Sequence, residues 1–277
     1  MNALREISRV DPVGESMATG QVDRRRDVLT LGDPRLSDPF LFLSEDWFSR
    51  VGFEWHPHRG FETVTYVIDG ELEHKDNAGG EGVLQAGDLQ WVTTGRGVIH
   101  SETAHERRPV HTLQLWLNLP AALKMSPPRY QDLRGAAVPL LNDAGVAVRV
   151  FAGTVQGVQG PAQTLWPTTV VDGKLEAGAR FVLEVPGDHA AFLYVMKGAL
   201  RAGGHRVPEA QVAWSDAGSA GPSGIELVAD AKTHVIAYAA KPIREPVFQH
   251  GPFVMNHRAE IVQAIEDYQR GAFGPIP

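Results

Sequence analysis

Apolar residues in this chain fall into short runs rich in Val, Ile, Leu, Tyr and Trp. Examples are residues 62–68 (ETVTYVI), Leu89–Thr93 (LQWVT), 112–119 (TLQLWLNL) and 192–196 (FLYVM). Turn dipeptides punctuate them: Asp69-Gly70, Gly79-Gly80, Gly87-Asp88, Lys197-Gly198 and Gly203-Gly204. Asp-Gly after a β-branched run is a hairpin signal. Strands at this spacing predict an all-β chain of sandwich or barrel type. One helix is expected, near the C-terminus. Asn256 can cap it, Ile261, Ile265 and Tyr268 follow i, i+4, i+7, and Gly271 stops it. Residues 121–125 could form a further short helical turn.

The two halves repeat one grammar. TYVIDGELEH in the first half and FLYVMKGALRAG in the second both read strand, turn, strand, and each leads to a Trp-bearing strand, AGDLQWV and PEAQVAW. The offset of about 125 residues is too long for a solenoid and implies two related β-domains. The boundary is expected within residues 124–143, and residues 156–161 (QGVQGP) read as a loop.

Composition narrows the chemistry. The 277 residues include no cysteine, which excludes a disulfide scaffold, a thiolate metal site and a cysteine nucleophile. A net charge of -7 argues against a broad nucleic-acid footprint, and the Arg24, Arg25, Arg26 run reads as a solvated strand face or loop. The N-terminal residues lack an apolar signal core, and no apolar run is long enough to span a bilayer. The expected location is the cytoplasm.

Any metal must then be held by imidazole and carboxylate. Six of the 11 histidines (His56, His58, His74, His100, His105 and His111) fall within 56 residues. His56 and His58, and likewise His100 and Glu102, are spaced i, i+2, so each pair projects from one face of a strand. Two such strands converging inside a barrel would offer three imidazoles and a carboxylate to a transition metal. Pro57 lacks an amide donor and belongs at a strand start, an edge or a bulge.

These residues sit in HPHRGFE, a Gly-rich hairpin and GDLQWVTTGRGVIHSE, which together resemble the two cupin motifs, with Thr93 where the second usually has proline. Residues 56–66, 87–102 and 244–256 are similar to blocks of the pirin family. The resemblance implies a bicupin. Its expected parts are a metal-binding barrel (1–130), a degenerate metal-free barrel (144–245) and a C-terminal segment with the helix returning onto the first domain (246–277). It also implies one metal, most often iron, held by His56, His58, His100 and Glu102; nickel, copper, manganese, cobalt or zinc would suit the same donors. In most other cupins the carboxylate ligand comes from the first motif, which makes Glu62 the rival. His74 could line the pocket or sit on the hairpin surface. His105, His111, His189, His205, His234 and His250 are expected to be structural or surface residues.

The activity implied by the resemblance is flavonol cleavage of the quercetin 2,4-dioxygenase type. A small aromatic substrate and O2 would be the reactants, carbon monoxide would be released, and Glu102 would take the substrate proton. Trp91, Trp116, Phe53, Phe61 and Met125 are candidates for an apolar wall. The alternative within the family is a metal- and redox-responsive regulator that binds a protein partner rather than nucleic acid.

Overall fold

The computed structural model describes residues 3–18, 21–30 and 34–276. The chain forms two units, one of residues 15–136 with 243–277 and the other of residues 1–14 with 137–242. Among the described residues, no helix is long and apolar enough to cross a membrane.

A two-stranded ladder, Phe248–His250 with Phe253–Met255, lies in the C-terminal segment of the histidine-rich unit. The barrel of this unit is built from two sheets. Its labelled strands are β1 (Arg24–Leu29), β2 (Phe40–Phe48), β3 (Phe53–His58), β4 (Phe61–Asp69), β5 (Glu71–Asp76), β6 (Glu81–Gln85), β7 (Leu89–Thr93), β8 (Val98–Ala104), β9 (Val110–Asn118) and β10 (Arg129–Leu133). The larger sheet runs β10-β7-β4-β9-β2-β1 and ends on the short strand Glu15–Ser16; the smaller runs β3-β8-β5-β6. β4 is central, and every residue from Phe61 to Val67 is buried. Strand alternation therefore sorts its side chains by face rather than by exposure. Pro57 lies on β3, an edge strand of the smaller sheet, where a missing amide disturbs the ladder least.

The C-terminal residues pack into this same unit. Gly60 has φ +93°, and a Cβ there would stand 2.0 Å from the Val254 carbonyl, so only glycine lets the returning segment cross at that point. Lys124, 1% exposed, donates from Nζ to Gly60 O (2.7 Å), Asn118 Oδ1 (2.6 Å) and Val254 O (3.1 Å). Burial pushes this lysine down to about 7, and the three oxygens around Nζ favour its charged form. Ile99, Phe253, Met255, Ile261, Ala264 and Phe273 make a shared apolar cluster.

The helix spans Arg258–Gln269, and its N-cap is His257 rather than Asn256. Glu260 reaches back to accept the amides of Asn256 (3.0 Å) and His257 (2.8 Å), while the Asn256 side chain is used elsewhere, donating to Glu245 and Pro246. The helical turn expected at 121–125 is a 3-10 turn, Ala121–Leu123. Residues 156–161 are more ordered than a loop: Thr154–Val155 pairs with Val158–Gln159.

The second unit has a seven-stranded sheet, which includes Ala190–Lys197, Gln211–Ser215 and Thr233–Ala240, and a smaller sheet built on Pro222–Ala229. Arg9–Pro12 pairs antiparallel with Gln211–Ser215 in the larger sheet, so the first residues of the chain complete this barrel. Its interior is closed by aliphatic side chains, among them Val171, Leu193, Ala213, Ile225 and Ala237.

Candidate metal centre

Strand parity decides what faces the interior of the histidine-rich barrel. On the larger sheet one face carries Arg25 (β1), Phe42, Ser44 and Asp46 (β2), Gln114 and Trp116 (β9), and Thr63 and Thr65 (β4), all linked by cross-strand register. The opposite face carries Glu62, Val64 and Tyr66. On the smaller sheet, His56 pairs with His100 between β3 and β8, and Glu102 pairs with His74 between β8 and β5.

His56, His58 and His100 converge, each offering a ligand atom within 4.8 Å of the others. His74, His100 and Glu102 form a second such group, so His100 belongs to both. His56 is half-buried, while His58 is 2% exposed and His100 is 0% exposed. Burial first, and neighbouring imidazoles second, hold His58 and His100 well below the usual histidine range, so both are neutral at pH 7 and keep a lone pair. His56 Nδ1 lies 2.7 Å from Glu54 O, and His58 Nδ1 lies 3.4 Å from Pro252 O. A carbonyl only accepts, so each ring donates from Nδ1 and turns Nε2 toward the cluster, a bare nitrogen in neutral His58.

The buried atoms without a hydrogen-bond partner include His58 Nε2, His74 Nδ1 and both nitrogens of His100. Unpaired lone pairs converging in a buried space are costly unless something accepts them, and a divalent cation does so. The donor set therefore fits a transition metal.

Glu102 is 2% exposed and shares the strand β8 with His100, although pairing with β3 shifts register between the two. Its carboxylate accepts from Gln114 Nε2 and from Thr65 Oγ1 (3.2 Å). Glu62 points away from this group. It is 0% exposed on the other face of β4 and accepts from Thr93 Oγ1 at 2.6 Å. Thr93, the residue standing where cupins usually have proline, thus gives Glu62 a partner. Burial pushes Glu62 up to about 7, against the hydrogen bond from Thr93.

An aromatic and polar wall continues from the histidines. Trp116 packs edge-on to His58 (5.1 Å) and tilted against Phe61 (4.5 Å), and Phe42 meets Trp116 at 5.5 Å. The Arg25 guanidinium lies over Phe42 at 5.2 Å and reaches Asp46 at 3.7 Å. Ser44 Oγ donates to Asp46 at 2.6 Å. Phe42, Trp116, Gln114 and Arg25 are half-buried, so this wall is open on one side. Of the aromatics expected to form it, Trp116 and Phe61 do so, and Phe53 lies 6.2 Å from His56. Trp91 is 0% exposed and shares its face with Glu62, while Met125 is 52% exposed beside Pro127 and Phe273.

Sequence reasoning passed over Gln114, Thr65, Ser44, Asp46 and Arg25. The signal was present for Gln114, an amide between Leu113 and Leu115 at alternate spacing from Thr112 and Trp116. The arginine run is a strand in which Arg25 turns inward, while Arg24 and Arg26 stack over Trp47 on the opposite face. His111 also stacks on Trp47 (4.1 Å) and bonds Glu45 (2.9 Å), away from the cluster. In the second barrel, His189 is 6% exposed and His234 bonds Asp172 at 2.5 Å.

A family model for Pirin matches residues 18–117, and one for the Pirin C-terminal cupin domain matches residues 170–274. Pirin-1 of Arabidopsis thaliana is 41% identical over 254 residues, covering 90% of this chain and 88% of its own length. Pirin of Homo sapiens is 38% identical over 251 residues, covering 88% of this chain and 87% of its own. The crystal structure of quercetin 2,3-dioxygenase from Acinetobacter baumannii superposes with a TM-score of 0.88 at 34% identity, covering 99% of this chain and all of that one. Two cupin domains, each matched by a pirin family model, and relatives aligned over most of their length place the chain in the pirin family.

Proposed function

We propose that this pirin is a metal-dependent dioxygenase that opens the central ring of flavonols, with the metal held by His56, His58, His100 and Glu102. The observation that carries the reading is the convergence of His56, His58 and His100, with buried, unpartnered nitrogens on His58 and His100, set beside a carboxylate and a half-open aromatic wall. A divalent transition metal there, with iron the first choice, supplies Lewis acidity toward a phenolic oxygen and one-electron chemistry toward O2.

The protein's own groups divide the remaining work. Phe61, Trp116 and Phe42 form a wall that suits a flat aromatic ligand lying edge-in toward the histidines. Glu102, held in place by Gln114 and Thr65, takes the proton of the flavonol hydroxyl as that oxygen enters the site. Arg25 and Asp46 orient hydroxyl groups at the far end of the ligand. The overall change consumes one O2 and releases one CO per flavonol.

The test combines elemental analysis of the purified protein with quercetin absorbance followed with and without oxygen. Oxygen-dependent bleaching that is lost in Glu102→Gln and His58→Ala supports the reading. A metal-loaded protein inert toward a panel of flavonols overturns it and favours a regulator that acts through a protein partner.

A further inference from the structure

His56 and His58 each have a backbone carbonyl that fixes the tautomer; His100 has no such carbonyl, and both of its ring nitrogens are buried without a partner. Two residues of the neighbouring strand β5 lie opposite this part of β8. Asp76 pairs in register with His100, and His74 with Glu102. Asp76 Oδ1 accepts the amides of Ala78 and Gly80, both at 2.8 Å. This turn wraps the carboxylate so tightly that a Cβ at residue 80 would stand 2.3 Å from Asp76 Oδ2. Asp76 Oδ2 is thereby aimed at His74 Nε2, 3.4 Å away.

Two amide donors on Asp76 favour its carboxylate form, which only accepts. His74 therefore donates from Nε2, which leaves Nδ1 as the ring nitrogen available to accept. His74 is 0% exposed, its Nδ1 has no partner, and Tyr130 stacks on the ring at 5.0 Å, which limits its rotation. A ring nitrogen of His74 lies within 4.8 Å of one on His100. We infer that Asp76 and His74 form a buried hydrogen-bonded pair whose unpartnered end, His74 Nδ1, accepts the N–H of His100 when a metal is bound, and so fixes which His100 nitrogen faces the metal. His74 is then a positioning residue, and Asp76 positions it in turn. An acceptor behind a ligating imidazole raises its basicity, and losing one costs about 10- to 100-fold in metal affinity.

The inference rests on the metal centre proposed above, and the experiment separates the two. Nickel(II) affinity is measured by chelator competition on wild type, His58→Ala and three His74 variants, alongside the visible spectrum of the cobalt(II)-loaded proteins. Wild type that binds nickel no better than His58→Ala overturns the centre itself, and this inference with it. If wild type binds, His74→Leu is expected to lose about 10- to 100-fold and to shift the cobalt bands. Should His74→Leu fail to fold, His74→Asn and His74→Gln decide. Asn places an oxygen near the Nδ1 position and is expected to retain most of the affinity; Gln places its amide near Nε2, where the NH2 donates to Asp76 and no acceptor stands at the Nδ1 position, and is expected to lose it. Equal affinities and unchanged cobalt spectra across the His74 series, with wild type binding nickel, overturn this inference alone.

Discussion

Gln114 donates from Nε2 to both carboxylate oxygens of Glu102, at 3.0 and 2.8 Å. Its own orientation is set from behind. The Trp116 indole N–H donates to Gln114 Oε1 at 3.2 Å, which forces the NH2 end toward Glu102. The aromatic wall and the carboxylate are thus joined through one amide. Gln114→Leu should remove this alignment while leaving the three imidazoles in place. A hydrogen bond to a charged group is worth about 1.5–3 kcal/mol, so flavonol kcat should fall about 10- to 100-fold. Metal content by elemental analysis should stay near one per chain. Undiminished kcat in this variant would mean that Glu102 needs no support to act.

The buried imidazoles make a prediction for the metal-free protein. His58 and His100 sit well below their ordinary value of 6.5 because burial disfavours their charged forms. An unfolded chain would protonate both below pH 6.5, and the folded chain would not. Unfolding therefore takes up protons in that range, and stability is lost as pH falls. Two such groups give a slope of about 2.7 kcal/mol per pH unit below about pH 6, before other groups contribute. Urea unfolding of chelator-treated protein between pH 7 and pH 5 measures it, and His100→Leu should remove about half of the slope.

Much of this was legible in the sequence, for a physical reason in each case. The i, i+2 spacing of His56 with His58 guarantees one shared strand face, so their convergence needed no structure. Glu62 against Glu102 was harder, because both have even spacing from a histidine. Gly60 and the turn that separates β3 from β4 break that parity for Glu62, and only the register of β4 against β9 shows it facing away. His74 was undecidable from sequence because burial of a hairpin strand depends on what covers it, here β8 and Tyr130. Arg25 was misread as solvated because adjacent arginines look alike until the strand assigns them to opposite faces.

The same parity argument separates the two carboxylates experimentally. Burial pushes Glu62 up to about 7, so the folded chain holds a proton that the unfolded chain, titrating near 4.5, releases. Stability from this group is then present at low pH and lost as pH rises through 7. Glu62→Gln, which is permanently neutral, should be more stable than wild type at pH 8 by on the order of 2 kcal/mol and nearly equal to it at pH 5. It should also keep full metal content, whereas Glu102→Gln should not keep its flavonol activity. Loss of metal in Glu62→Gln would return Glu62 to the ligand set.

Asp46 offers a test of what the site selects. Its carboxyl is 1% exposed, burial raises it to about 6 against the pull of Arg25 and Ser44, and Oδ1 has no hydrogen-bond partner. A buried acceptor whose ion-pair partner, Arg25 Nη1, stands at 3.7 Å, beyond hydrogen-bond reach, suits a hydroxyl donor on the ligand. Asp46→Asn weakens that acceptor and leaves the metal cluster and Gln114 untouched. The KM for a flavonol hydroxylated on its pendant phenyl ring should rise about tenfold at pH 8, with kcat nearly constant, because the contact aids binding equally before and during reaction. A flavonol lacking those hydroxyls should show no change, since it never made the contact. If both substrates respond alike, Asp46 acts on the fold of the wall and not on the ligand, and recognition of the far ring must come from Arg25 or from the aromatic face alone.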